Sequence, residues 1–144
     1  MRFIGFSLEK VNIEKKKEIK EKYSINSNID IKSIEKGNVD LMKNKEVYIF
    51  KFSFIIQFEP SFASLDFNGS VAVLFEPSES KNILKKWKNK KIDDSIRIPL
   101  FNMIMNKCNI KAIKYEEDLN LPVHIPFPTV RAEDQTSGKA NYVQ

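Results

Sequence analysis

Between residues 46 and 58 the chain reads E-V-Y-I-F-K-F-S-F-I-I-Q-F, a pattern that leaves little choice of local structure. Tyr48, Phe50, Phe52, Phe54, Ile56 and Phe58 recur at every second position, so an extended backbone places all six on one face. That face must be buried. The opposite face carries Ile49, Lys51, Ser53, Ile55 and Gln57, a mixture of aliphatic and polar groups. Two such unequal faces are characteristic of an antiparallel sheet covered on one side only.

A second alternating run follows at once. Beyond Glu59-Pro60, where proline cannot donate to a ladder, Leu65, Phe67, Gly69, Val71, Val73 and Phe75 share one face of residues 63–75. The two runs predict a hairpin with its aromatic faces on the same side. Upstream, Ile4, Phe6 and Leu8 alternate in residues 2–10, predicting a first strand that continues to Ile13, with a bulge or close approach at Gly5. Residues 14–22 read E-K-K-K-E-I-K-E-K, with Ile19 the only large apolar member, and predict a solvated connection or short helical turn. Ile29 and Ile31 alternate within residues 26–34, and Gly37-Asn38 interrupts the pattern before Val39 and Leu41. That stretch is either one bulged strand or two short ones.

After Glu76-Pro77 the period changes. Ser78 is placed as an N-cap with Lys81 at N3, which excludes a capping box, and Ile83, Leu84 and Trp87 form an apolar stripe. Asp93-Asp94-Ser95 opens a second helix with Pro99 in its first turn. Leu100, Phe101, Ile104, Met105, Cys108 and Ala112 then keep helical spacing to about Lys114. Residues 119–128 hold prolines at 122, 126 and 128, while Val123, Ile125 and Phe127 alternate, so this stretch runs extended. The expected fold is α+β: a four-stranded antiparallel meander or Greek-key sheet followed by two C-terminal helices. Residues 1–131 form the single domain and residues 132–144 a flexible polar tail.

Composition excludes several chemistries. One cysteine, Cys108, and one histidine, His124, make neither a disulfide nor a zinc site, and no cofactor or metal is expected. No nucleophile motif accompanies His124, only four glycines are present and none forms a phosphate loop, so an enzyme is not expected. Carboxylates at Asp93-Asp94 and at Glu116-Glu117-Asp118 are assigned to capping and solvation, and Cys108 to the core. No run approaches the ~20 apolar residues of a membrane span, and no signal sequence is read, so a cytoplasmic protein is expected. The net charge of +5 comes from lysine; the arginines are only Arg2, Arg97 and Arg131. Lys81, Lys85, Lys86 and Lys88 form a possible polyanion patch, although a solvated helix face is the simpler account and nucleic acid is not expected as a partner.

The order of elements, the Val47-Tyr48 entry into the aromatic strand, Phe67-Asn68-Gly69 with Val71 and Val73, the helix over residues 99–113 and the L-x-L-P-x-x-I-P-F segment together resemble the SecB-type protein-export chaperones. The resemblance spans nearly the whole chain. It implies an ATP-independent holdase, tetrameric as a dimer of dimers, that binds unfolded or pre-secretory polypeptide along exposed apolar grooves. Export chaperones of this type are acidic and engage an ATPase motor through that charge; a basic chain speaks against a translocation motor as partner. The candidate client-binding or subunit-interface residues are Ile49, Lys51 and Ile55 on the second face of the aromatic strand, with Val123, Ile125 and Phe127 on the extended segment. Two other readings stay open: a polyanion or nucleic-acid binder using the cluster at residues 81–91, and a small-ligand domain with a cavity between sheet and helices.

Overall fold

The computed structural model describes residues 1–20, 22–38, 44–130, 132 and 140–141. The fold is α+β. Four strands, β1 (Arg2–Lys15), β2 (Ser24–Gly37), β3 (Glu46–Glu59) and β4 (Ala63–Phe75), form an antiparallel sheet in the order β1-β4-β3-β2. The β3-β4 hairpin lies at the centre, and the first two strands in sequence flank it from opposite edges. Val39 and Leu41 lie outside the described residues.

The hairpin pairs Phe54 with Phe67, Phe52 with Gly69 and Phe50 with Val71, so every directly opposed pair shares a face. Phe50, Phe52, Phe58, Phe67 and Phe75 are fully buried, and Phe54 rests against Phe67 with ring centroids 6.4 Å apart. Burying each ring contributes about 2–3 kcal/mol.

What covers this face is mainly one helix. The chain crosses from β4 through two short helical segments, α1 (Pro77–Ser80) and α2 (Ile83–Trp87), into α3 (Asp94–Asp118). The first expected helix is thus broken in two, and its cap differs from the expectation: Glu76, not Ser78, is the N-cap. Its backbone N–H donates to the Glu79 carboxylate at 3.1 Å, completing a capping box. Of the expected stripe, Ile83 is buried and Trp87 half-buried, but Leu84, about 100° around the helix from Ile83, is 39% exposed.

α3 begins at its N-cap Asp93 and runs four residues beyond Lys114; Pro99 lies in its second turn, not its first. Its fully packed residues, Ile96, Leu100, Ile104, Cys108, Ala112 and Glu116, fall at every fourth position. Such a row is inclined to the helix axis, so α3 crosses the sheet obliquely. The 25-residue helix is about 37 Å long. Phe101 and Met105, expected on the same stripe, flank it and are only half-buried. Burial pushes the Cys108 thiol up to about 12, which makes it an inert core group.

β1 departs from its simple alternation. Phe3 pairs with Val73 and Phe6 with Val71, because the ladder skips Ile4, and a second shift skips Glu9. Phe3, Phe6 and Leu8 therefore face the core, whereas Ile4, expected inside, is 40% exposed. β2 is one strand with an irregularity at Lys32. β1 also continues past Ile13 to Lys15, and Lys16 and Lys17 then donate backbone hydrogen bonds to the Phe62 carbonyl. In the region assigned to the tail, Ala140–Asn141 (β6) pairs with Thr129–Val130 (β5), while residues 133–139 and 142–144 lie outside the described residues.

One network ties the first helical turn to the sheet. Ser80, 3% exposed, donates through its hydroxyl to Glu46, which also accepts from Tyr48 Oη and Lys36 Nζ, each at 3.2 Å. The Ser80 hydrogen bond, then that from Lys36, holds the Glu46 carboxyl below its ordinary range against a smaller opposing effect of burial. A depressed carboxyl adds stability above the unfolded value near 4.5, and that contribution is lost as the pH falls through the lower folded value. Glu46→Gln is therefore less stable than the parent at neutral pH, and the two converge in acid; denaturant midpoints that differ equally at every pH would contradict this assignment.

Gly69 sits where β1 approaches most closely. A methyl group there would overlap the Ser7 carbonyl oxygen and lie 3.1 Å from both Leu8 Cα and Phe52 Cζ. The space above it is filled by Phe52 stacked on Phe6, with centroids 5.7 Å apart. Gly69→Ala is expected to cost about 2–3 kcal/mol in denaturant unfolding, as overpacking of rigid backbone does, whereas Gly37→Ala costs under about 1 kcal/mol. At Gly37 the nearest atom is a side-chain methyl of Val47 at 3.3 Å, which can yield.

Candidate binding surfaces flanking the long helix

With only one row of α3 in the core, its flanks remain open. Ile98 is 49% exposed and Ile110 71% exposed, while Phe101, Met103, Met105 and Tyr115 are half-buried. Apolar side chains so placed along one long helix form a surface that water solvates poorly. Among the grooves beside the helix, three carry much of this apolar lining.

The first, about 370 Å³, opens between β2, α2 and the start of α3. Ile31, Ile92, Trp87 and Phe101 provide its apolar lining, and Asp30, Lys32, Lys90 and Arg97 the polar lining. Lys90 Nζ stands 4.4 Å over the Trp87 ring, and the Arg97 guanidinium lies 5.7 Å from the Phe101 centroid. The second, about 570 Å³, lies between β1 and α3, with Phe6, Leu8 and Ile110 beside Lys107 and Lys111.

The third, about 390 Å³, is made where α3 ends. Asn120 adopts a left-handed conformation (φ 55°) and donates to the Glu117 carbonyl at 3.2 Å, and Leu121 donates to the Glu116 carbonyl at 2.8 Å. This is a Schellman turn, with Asn at the position that favours left-handed backbone and Pro122 preventing a restart. Leu121 enters the core, and Lys15 Nζ donates to the Leu119 carbonyl at 2.8 Å. Val123 and Phe127 line the groove beside Ile113 and Glu117. Val123 and Ile125 are half-buried, and Phe127 is 49% exposed.

Beneath this segment lies the largest correction to the sequence reading. Glu116, assigned to solvation at a helix end, is completely buried. Its carboxylate oxygens lie 2.8 and 2.9 Å from His124 Nδ1, and His124 Nε2 meets Asn109 Oδ1 at 2.8 Å. The His124 side chain is 6% exposed. Both ring nitrogens are therefore engaged by α3, and the ring pins the proline-rich segment to the helix. No periodicity could signal this pairing, because Glu116 and His124 face each other only after the chain reverses at Asn120.

The residues proposed from sequence fall into separate places. Ile49, Lys51 and Ile55 are half-buried on the sheet face opposite the helices, in rows with Ala72, Ser70 and Asp66, respectively, of β4. That face is graded: Val47 and Leu74 are buried at one end, and Asn26, Asn28, Ser64 and Asn68 occupy the other. Val123, Ile125 and Phe127 belong to the helix side, so the structure does not unite the two groups. Lys81, Lys85, Lys86 and Lys88 are all exposed on the short helical segments, with Lys86 paired to Asp93. Sequence reasoning missed the lining of the first groove, although a lone Trp amid lysines was a visible signal.

Compared with family models, curated proteins and solved structures, the chain finds no match. Among the described residues, no helix is long and apolar enough to cross a membrane.

If His124 pins the segment, loss of its ring leaves a buried carboxylate with only the long backbone hydrogen bond from residue 124, at 3.4 Å. His124→Ala should cost about 3 kcal/mol in denaturant unfolding and open the residues around Pro126 to proteolysis. The double variant H124A/E116L should recover part of that loss, since the orphaned carboxylate is gone; a double variant as weak as the sum of both singles would refute the pairing.

Proposed function

We propose that this protein is an ATP-independent holdase of the SecB-like kind, binding unfolded or pre-secretory polypeptide along apolar grooves and assembling as a homo-oligomer, a tetramer built as a dimer of dimers. The observation that carries the reading is the uneven use of α3: one row packs the core, while Phe101 and Ile110 line grooves open to solvent and Ile98 stays exposed. A holdase needs apolar surface that survives folding, and Ile98 and Ile110 lie outside the packed core. The same flanks offer area for a second copy, and part of the exposed apolar surface is assigned to that assembly. On the far face, Ile49, Lys51 and Ile55 are offered to a subunit or client.

The filled interior favours surface binding over an enclosed small-ligand site, because the space between α3 and the sheet is occupied by Phe52, Phe67, Leu100 and Ile104. The exposed lysine cluster supports the polyanion alternative mainly as a charge effect, since Trp87 is the one aromatic side chain among Lys81, Lys85, Lys86 and Lys88, whereas a stacking platform presents several in succession. That alternative predicts retention on heparin that is lost steeply with salt.

The test is aggregation of a denatured client without nucleotide. Stoichiometric protein should suppress light scattering, and Ile110→Asp or Phe127→Ser should weaken suppression severalfold while thermal unfolding changes little. Solution scattering should report a tetramer. A folded protein that leaves client aggregation unchanged ends the proposal.

A further inference from the structure

We propose that the groove between β2 and the α2-α3 junction selects extended polypeptide segments in which an aromatic side chain is flanked by carboxylates. The inference rests on the holdase reading for the class of occupant and adds a preference that the fold alone does not dictate.

Charge is the first ground. The groove joins a neighbouring one of about 560 Å³ through Lys90, Ile92 and Arg97, and across both, five cations face three carboxylates. Lys32 pairs with Asp30 at 3.4 Å, Arg97 with Asp94 at 2.9 Å, and Lys86 with Asp93. These pairs are local and largely exposed, so each is weak and an incoming carboxylate can compete for its cation. Lys90 and Arg97 are also set over Trp87 and Phe101, which restricts where their charges can sit. Between them the floor is apolar, formed by Ile31 and Ile92. An aromatic ring fits that floor, and acidic neighbours fit the rim.

The sheet edge is the second ground. β2 is the outer strand of the sheet, and Asp30, Ile31 and Lys32 line the groove from that edge. A chain lying along an edge strand can use its own amides to pair and directs alternate side chains to the same face. One aromatic residue then reaches the floor while the side chains two positions to either side of it reach the rim. A nucleic acid has no use for the edge amides, so a polypeptide is the better occupant.

Trp87 is the only tryptophan and lies in the groove, so its fluorescence reports occupancy directly. Full-length protein is titrated with a short Phe-centred peptide flanked by Glu, the same peptide with Lys in place of Glu, the Glu peptide with Ser in place of Phe, and an oligothymidylate. The expected result is saturable binding of the Glu-Phe peptide, with the Lys-Phe and Glu-Ser peptides about tenfold weaker or more. K90E/R97Q should lose that preference, and K85E/K88E, on exposed lysines outside the groove, should keep it; circular dichroism confirms that each is folded. Equal affinity for the Glu-Phe and Lys-Phe peptides overturns the inference, as does oligothymidylate binding that both double variants weaken alike. Suppression of client aggregation without charge preference would leave the holdase reading standing and remove this one; selective peptide binding without suppression would do the reverse.

Discussion

The burial of one aromatic sheet face beneath an inclined row of a single long helix underlies everything else in this structure. Phe50, Phe52, Phe67 and Phe75 cannot be left in water, and among the described residues the central hairpin has no second layer except α3 and the short segments leading to it. Because that helix contacts the core through every fourth residue, its packing consumes a narrow oblique strip of its surface. The remaining strips stay outside. Exposed apolar groups such as Ile98 and Ile110 are thus a geometric consequence of how a long helix covers a small sheet.

The edges of the sheet show how the same core constrains its neighbours. β1 must bring Phe3, Phe6 and Leu8 inward, and it does so by skipping Ile4 and Glu9 in the ladder. The skip near Leu8 lies beside Gly69, whose missing side chain admits the β1 backbone and the stacked Phe6-Phe52 rings. Irregularities of this kind also shorten the regular edge that β1 presents. On the helix side, the edges become the walls of grooves.

Function, in the holdase proposal, follows from what α3 leaves uncovered and from what holds the segment beyond it. Glu116, His124 and Asn109 fasten the proline-rich run to the end of the helix, leaving Phe127 presented and Val123 and Ile125 half-covered. A buried carboxylate-imidazole pair is a demanding way to attach a loop, because removal of either partner strands the other. Its place at the mouth of a groove gives the segment a defined position.

Much of the architecture was legible in the residues. Period-two runs marked β3 and β4 and their shared aromatic face, Gly5 marked the first bulge, and apolar spacing marked α3, because each signal depends only on neighbours along the chain. Ser78 misled, since the true cap depends on where Pro77 and Glu79 let the first turn close. Pro99 misled as well, because a helix anchored along the sheet tolerates one missing hydrogen bond. Strand order, the exposure of Leu84 and Ile4, and the separation of Ile49 and Ile55 from Phe127 required the fold. The sequence by itself determined which faces had to be buried, because side-chain alternation is a local property of the backbone. Only the tertiary structure decided which apolar groups stayed outside and that Glu116 would meet His124, because both depend on the angle at which α3 crosses the sheet and on the turn that ends it.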